Sequence, residues 1–339
     1  MYYVKNERNG KEIHDPKLNL AIEYYLLNEV KLDESILLFY INNNSIIIGR
    51  NQNTYEEVNT TYVEENNIDV VRRFSGGGAV YHDMGVLCFC FITEDDGNSF
   101  RDFKRFTSPV IDALHQMGVN GAELKGRNDL VINDKKFSGN AMYSKNGRMT
   151  AHGTLMFDSE IDAVVKALKP KKHKLESKGI KSIRSRVTNI KPFLEHSYQC
   201  MNAKTFRDQL LLYLYDTDSK ENVKEYVLTD KDWEKIDAFA AEYTDNWDWN
   251  YGKSPEFDME RSDRLSVGTV EVKMNVRKGN IDVIRIYGDF FGLGEIEDVE
   301  DELTNIPYTK EAITNALNKI DINKYFGSVD LSELVDLIY

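Results

Sequence analysis

The sequence predicts an α+β chain: a large domain of mixed, mainly antiparallel β-sheets flanked by helices, followed by a small α+β domain. Three observations carry this. Short apolar runs bounded by Asn, Asp and Gly turns recur through the first half, the pattern of antiparallel pairing rather than of regular βαβ units. Helical segments with capping residues interrupt those runs. The chain then changes character at "DNWDWNYGKSPEF", where aromatics meet a Gly-Lys-Ser-Pro segment. This places a large domain at 1–250, a linker at 251–261 and a small domain at 262–339.

The elements follow in order. "DPKLNLAIEYYLLNEV" reads as a helix, with Asp15 as cap, Pro16 in the first turn, and Leu20, Tyr24 and Leu27 on one face. "ILLFYINNNSIIIGR" reads as a β-hairpin closed by its asparagines. A polar helix near 54–66 precedes the strand "IDVVRRF". The glycine loop and then "AVYHDMGVLCFCFIT", two strands turning at Asp83–Gly85, come next. After a helix over 100–117, "DLVINDKKFSGNAMYSKNGRMTAHGTLMFD" reads as a three-stranded antiparallel meander turning at Asn133–Asp134 and Asn146–Gly147. Helices are expected near 160–168, 202–215 and 231–243. Past the linker, "SVGTVEVKMNVRKGNIDVIRIYGDFF" forms a hairpin that leads into helical segments.

Bulk properties exclude several functions. With 41% hydrophobic residues and six prolines in 339, the chain is an ordinary globular protein. No apolar run approaches the roughly 18 residues of a membrane span, and the N-terminal residues lack the order of a signal peptide, so the expected location is the cytoplasm, with no membrane partner. Cys88, Cys90 and Cys200 cannot make a disulfide framework; the first two lie in a strand-like apolar run and read as buried core residues, the third as helical. The net charge of −13 argues against a nucleic-acid partner. Residues 166–191 nevertheless carry a net +9, which leaves −22 on the rest. That run reads equally as a solvated face and as a loop that meets phosphates or an acidic partner.

Chemistry concentrates in three places. In "RRFSGGGAVYHD", Gly76, Gly77 and Gly78 lack Cβ atoms, so successive amides can converge on phosphate or carboxylate oxygens. Ser75 adds a donor, and Arg72 and Arg73 add charge that suits an anion. The spacing is neither that of a P-loop nor that of a dinucleotide fold. In "GRNDLVINDKKFSGNA", Lys136 lies in a strand before a second small-residue loop, Ser138–Gly139. Half-buried among Val131, Ile132 and Phe137, this lysine requires an anionic partner, whereas Lys135 reads as a surface residue. Asn128 and Asp129 supply oxygens suited to magnesium, with Asp129 the candidate ligand. In "AHGTL", His152 stands on the returning strand beside Gly153. Neither it nor His82 has a serine or cysteine nucleophile at a telling spacing.

Taken together, "DPKLNLAIEYYLL", "IIIGRNQN", "RRFSGGGAVYHD", "GRNDLVI", "KKFSGNA", "HGTLMF", "KGIKSIRSRVTNI" and "WDWNYGKSPEF" stand in the order found in lipoate–protein ligases of the A type, which this chain resembles over 15–257. The residues after 260 are similar to the accessory domain of longer members in size and strand pattern. The resemblance implies a biotin/lipoyl ligase-like catalytic domain. It implies activation of lipoate with ATP and Mg2+ as lipoyl-adenylate, then transfer of the acyl group to a lysine of a lipoyl domain of a 2-oxoacid dehydrogenase E2 subunit or of the glycine-cleavage H protein. No tightly bound cofactor is expected, and a monomer is.

By the same resemblance Lys136 is the central catalytic lysine, touching the lipoyl carbonyl and the α-phosphate. The adenylate would be bound by Arg73, Ser75, Gly76, Gly77, Gly78, Ala79, Val80, Tyr81, His82, Asn128, Asp129, Ser138, Gly139, His152 and Gly153. Lys178, Gly179, Lys181, Ser182, Arg184 and Arg186 would belong to a loop folding over it. The chain reads Ala151–His152 where a His–His pair is common, and Lys135–Lys136 where Arg–Lys is common. Two other readings stay open: an ATP-independent lipoyl or octanoyl transferase working through a cysteine, and a paralogue that only binds lipoyl domains.

Overall fold

The structure, a computed structural model, describes residues 1–168, 185–252 and 257–339. Its central layer is an eight-stranded mixed sheet. In spatial order the strands are Glu225–Tyr226, Tyr2–Val4, Ile36–Tyr40, Val86–Glu94, Arg148–Met156, Lys135–Lys145, Asp129–Ile132 and Ala122–Lys125. The first three run parallel to one another and every later pairing is antiparallel.

Strand periodicity explains why this sheet is covered on both faces. Leu87, Phe89 and Phe91, with Leu37 and Phe39, pack against helices Phe103–Gln116 and Ala203–Leu214. The alternate set, Val86, Cys88, Cys90 and Ile92, with Ile36, Leu38 and Tyr40, faces helices Pro16–Asn28 and Asp230–Phe239. Cys88 and Cys90 are therefore core residues, as expected, while Cys200 is exposed in a turn rather than a helix. The Pro16–Asn28 helix begins as predicted, with Asp15 Oδ1 accepting from the Lys17 amide at 2.8 Å.

The expected hairpin across 36–48 does not form. Ile36–Tyr40 is central in the large sheet, whereas Ser45–Ile48 is the middle strand of a separate sheet, between Asp69–Arg72 and Val80–His82. Every residue of both strands is buried, so each needs neighbours on two sides, and a hairpin satisfies one. Asn42 fixes the corner between the sheets: its Oδ1 accepts from Asn19 Nδ2 at 2.7 Å and its Nδ2 lies 2.9 Å from His82 Nδ1. The polar segment at 54–66 is likewise two helices, Thr54–Glu57 and Thr60–Glu65, because Asn53 and Asn59 each cap a fresh start. The meander at 129–156 forms as predicted, with Asn133, Asp134, Asn146 and Gly147 all at positive φ.

The C-terminal part has its own three-stranded sheet, Met259–Leu265, Gly268–Arg277 and Asn280–Gly288, under helices that include Ile296–Leu303, Lys310–Leu317 and Leu331–Ile338. The first of these strands begins within the stretch read as linker. The two parts are joined by backbone as well as side chains. The Gly288 amide donates to Asn51 O at 2.7 Å, Arg127 Nη1 donates to Val267 O at 2.5 Å, and Phe291 packs into the core of the large domain.

Arg72, read from sequence as an anion ligand, is a staple between segments. Fully buried, it donates to the carbonyl oxygens of Gly49, Arg50, Gln52 and Trp249 at 2.6–3.0 Å and to Thr54 Oγ1 at 2.7 Å. Its own carbonyl accepts from Trp249 Nε1 at 2.8 Å. Burial pushes its pKa down to about 10, so it stays charged at neutral pH. Replacing it by methionine leaves several carbonyls without donors. We expect Arg72→Met to lose roughly 3–5 kcal/mol of unfolding free energy by denaturant titration. A loss below about 1 kcal/mol would show that those carbonyls find other partners.

Candidate active site

A cavity of about 110 Å³ opens where the two sheets of the large domain meet. The glycine loop forms one wall through Gly77, Gly78, Ala79 and Val80; Lys136, Gly139 and Asn128 form another; His82, Cys88, His152 and Gly153 close the rest. The structure thus gathers, from distant parts of the chain, most of the residues singled out in the sequence. Ser75, Gly76, Tyr81, Asp129 and Ser138 do not line this cavity. Tyr81 points into the small apolar cluster on the other side of its strand, with Ile46, Ile48 and Val58. Lys178, Gly179, Lys181, Ser182 and Arg184 lie outside the described residues, and Arg186 is exposed.

Lys136 is placed by a β-bulge. Val131 pairs with Lys136 and Leu130 with Ser138, so Phe137 is the extra residue, and its ring is fully buried. The strand continues through Ser138 and Gly139, which the sequence suggested as a loop. Residues three apart in a regular strand face opposite sides; the bulge re-aims Lys136 over Gly139. A Cβ on Gly139 would stand 3.1 Å from Lys136 Nζ, so the glycine makes room for the ammonium. The anionic partner that a half-buried lysine demands is Asp129, whose Oδ1 lies 2.7 Å from Nζ. Val187 bridges to Lys136, and the Thr188 amide donates to Lys136 O at 2.9 Å.

Arg73 organises the opposite wall. Its Nε donates to Ser75 Oγ at 3.0 Å, its Nη1 to Ile47 O at 3.1 Å, and its Nη2 to Gly76 O at 2.7 Å and Gly78 O at 2.9 Å. The guanidinium is spent mainly on holding the loop, and burial pushes its pKa down to about 10. The three glycines serve different ends. A Cβ at Gly76 would lie 2.2 Å from Phe290 O, so this residue admits the C-terminal part. Gly77 has φ +91° and would press on Arg73 and Phe291. Gly78 meets nothing within 4 Å and faces the cavity.

Two residues were not singled out in the sequence. Glu23, a carboxylate within the apolar helix stretch "LAIEYYLL", lies 2.7 Å from His152 Nδ1, and Tyr40 Oη donates to it at 2.8 Å. A charge amid apolar neighbours was the available signal. Asn140 locks onto Asn128: each side-chain amide donates to the other's carbonyl, at 2.9 and 2.7 Å. Spacing offered His152 no serine nucleophile, and the fold sets Ser75 Oγ 2.7 Å from its Nε2. This Glu–His–Ser series does not make a nucleophile. Ser75 is buried away from the cavity and accepts from Arg73.

For a metal, Asn128 is engaged with Asn140 and Asp129 with Lys136. Among the described residues the candidate ligand clusters of three, Glu23–Cys90–His152 and Glu56–Glu260–Glu271, do not include Asp129. A magnesium carried by nucleotide phosphates needs only one or two protein oxygens.

An ammonium set across a small cavity from a glycine-rich wall is an arrangement suited to an anionic group. Residues 15–214 match the lipoyl protein ligase A/B catalytic domain, and residues 254–338 match the bacterial lipoate protein ligase C-terminus. The chain belongs to this family and is an enzyme of the ligase class. It is similar to the lipoate-protein ligase LplJ of Bacillus subtilis (strain 168), with 52% identity over the full length of both chains. Among solved structures it resembles P. falciparum LipL1 in complex with lipoate (TM-score 0.75, 26% identity, 99% of this chain and 97% of that one). It also resembles the bipartite lipoate protein ligase of Thermoplasma acidophilum, described with its E2 lipoyl domain (TM-score 0.63, 26% identity, 76% and 98% covered). No described helix is long and apolar enough to cross a membrane.

Neighbouring glycines should respond differently to one methyl group. Gly78→Ala should keep the wild-type unfolding free energy within about 0.5 kcal/mol. Gly76→Ala must displace the Phe290 backbone, which should show as faster amide exchange around 288–292. Equal exchange in the two variants would refute this division of roles.

His82 carries a pH signature. Burial, then the charge of Arg73, pushes its pKa down to about 3 from 6.5. The unfolded chain thus takes up the proton first, so this contribution to stability is complete above pH 6.5 and lost as pH falls towards 3. Its slope is about 1.4 kcal/mol per pH unit. His82→Gln should flatten the stability profile between pH 6 and 4 by up to that slope, measured by denaturation at each pH; a parallel profile would place the proton uptake elsewhere.

Proposed function

We propose that the enzyme activates lipoate with ATP and transfers the lipoyl group to a lysine of a lipoyl domain. The observation that carries this reading is Lys136, held at 2.7 Å by Asp129 and facing the Gly77–Val80 wall across one cavity. In the first step a lipoate carboxylate oxygen attacks the α-phosphorus of ATP. The bond to the β-phosphate bridging oxygen breaks, and pyrophosphate leaves. Both reactants are anions, and the Lys136 ammonium with the loop amides supplies the counter-charge that brings them together. In the second step the uncharged amine of the acceptor lysine attacks the lipoyl carbonyl. The carbonyl–oxygen bond to AMP breaks, and the amine gives up a proton as the amide forms. Lys136 stabilises the oxyanion, and no covalent enzyme intermediate is required. Magnesium would arrive with the triphosphate and neutralise part of its charge, and Asp129, beside Lys136, would offer it a carboxylate.

The relatives support lipoate as substrate and a lipoyl domain as acceptor, since one solved neighbour is described in complex with lipoate and another with its E2 lipoyl domain. The glycine-cleavage H protein is a second acceptor of the same chemistry, and the chain is proposed to act as a monomer in the cytoplasm. The 1–250 part houses both steps, with 262–339 as its accessory. A cysteine-based transferase is disfavoured by the thiols. Cys88 reaches the cavity, but burial and then Glu23 push its pKa well above 9, which leaves it protonated.

The test is lipoate-dependent exchange of pyrophosphate into ATP, without acceptor protein. Wild-type enzyme should exchange, and Lys136→Ala should fall by about a hundred- to a thousandfold while unfolding cooperatively. Absence of exchange by folded wild-type enzyme that still accepts preformed lipoyl-protein would replace this reading with the transferase.

A further inference from the structure

Behind the cavity runs a chain of buried polar groups drawn from four segments. Tyr40 Oη donates to Glu23 Oε1 at 2.8 Å, and Glu23 Oε2 lies 2.7 Å from His152 Nδ1. His152 Nε2 lies 2.7 Å from Ser75 Oγ, which accepts from Arg73 Nε at 3.0 Å. Arg73 Nη2 in turn holds the carbonyls of Gly76 and Gly78. Glu23 and Ser75 are 5% and 1% exposed. The thiol of Cys90, kept protonated by burial, also faces the Glu23 carboxylate.

Donor and acceptor capacities fix the direction of this chain. A carboxylate accepts, and a neutral imidazole that donates Nδ1–H to Glu23 leaves Nε2 bare. A bare Nε2 accepts the Ser75 hydroxyl proton, and Ser75 keeps its lone pairs for Arg73 Nε–H. The planar guanidinium, pinned at Nε, then aims Nη2 at the two loop carbonyls. In a trans peptide the N–H points opposite to the C=O, so the amides of Gly77 and Ala79 are turned away from Arg73. Among the described residues neither amide donates to a protein acceptor.

We propose that Glu23 is a positioning residue: by fixing the proton of His152 on Nδ1 it locks Ser75, Arg73 and the glycine loop with the Gly77 and Ala79 amides free for the oxygens of the acyl phosphate. The inference rests on the adenylation reading for its ligand, but its geometry can be read in the free protein.

The experiment combines nitrogen-15 NMR of the His152 ring with lipoate-dependent pyrophosphate exchange. Wild-type protein should carry the proton on Nδ1. Glu23→Leu removes the acceptor, so the proton should move to Nε2 and exchange should fall about a hundredfold. Ser75→Ala cuts the chain one link later: the proton should stay on Nδ1 while exchange falls by a similar factor. The double variant should be no worse than Ser75→Ala alone, because both changes break one series. A wild-type proton on Nε2, wild-type exchange in either single variant, or additive losses in the double variant would overturn the proposal. If Glu23→Leu does not fold, the wild-type tautomer and Ser75→Ala decide it. Absence of exchange in wild type would sink the adenylation reading and leave the tautomer result standing.

Discussion

Two adjacent guanidinium groups, Arg72 and Arg73, are buried on backbone carbonyls rather than on carboxylates, and the rest of the molecule is arranged around that constraint. A buried cation without a carboxylate partner is tolerated only when its fork of donors is widely satisfied. Arg72 gathers the 49–54 segment and the Trp249 turn on one side of its strand. Arg73 gathers the glycine loop on the other. The strand end at Arg72 is therefore a rivet, from which one side serves packing and the other the cavity.

The layering explains where that cavity can be. The large sheet is covered on both faces by helices, and the cavity lies where that sheet meets the smaller one, at the corner that Asn42 and His82 define. The corner also buries polar groups against one another. His82 gives its Nδ1 to Asn42, Glu23 answers Tyr40 and His152, and Asn140 answers Asn128. Hydrogen bonds of this kind hold the walls in place.

Local signals were legible in the sequence wherever the partner is local. Asp15 and Pro16 start their helix as read, and the Asn-Asp and Asn-Gly turns set the meander that carries Lys136 and His152. A half-buried lysine was read as needing an anion, and the structure supplies Asp129, which the sequence had offered separately as a magnesium ligand. What failed depended on partners distant in sequence. The run at 36–48 has the composition of a hairpin, and only the strands at 69–72, 80–82 and 86–94 pull its halves into separate sheets. Gly139 looked like a loop residue because a glycine in a strand and a glycine in a turn are spelled alike; the bulge at Phe137 distinguishes them. Ser75 and His152 could not be paired by spacing, since they meet across two sheets.

The triple glycine shows how one motif can answer to several constraints. Gly77 and Gly78 both reach the cavity; Gly77 also turns the chain, and Gly76 lets the Phe290 backbone approach. The carbonyl that Gly76 offers to Arg73 therefore belongs to a residue pressed from the other side by the C-terminal part. A shift of Phe290 would move that carbonyl, and with it the guanidinium that also holds Gly78. The docking of the C-terminal part and the shape of the cavity are thus linked through two residues and one arginine. Because protein interiors are close-packed, such a link transmits small displacements rather than absorbing them. That is a physical reason for the loop to carry glycine at all three positions when only two of them reach the cavity.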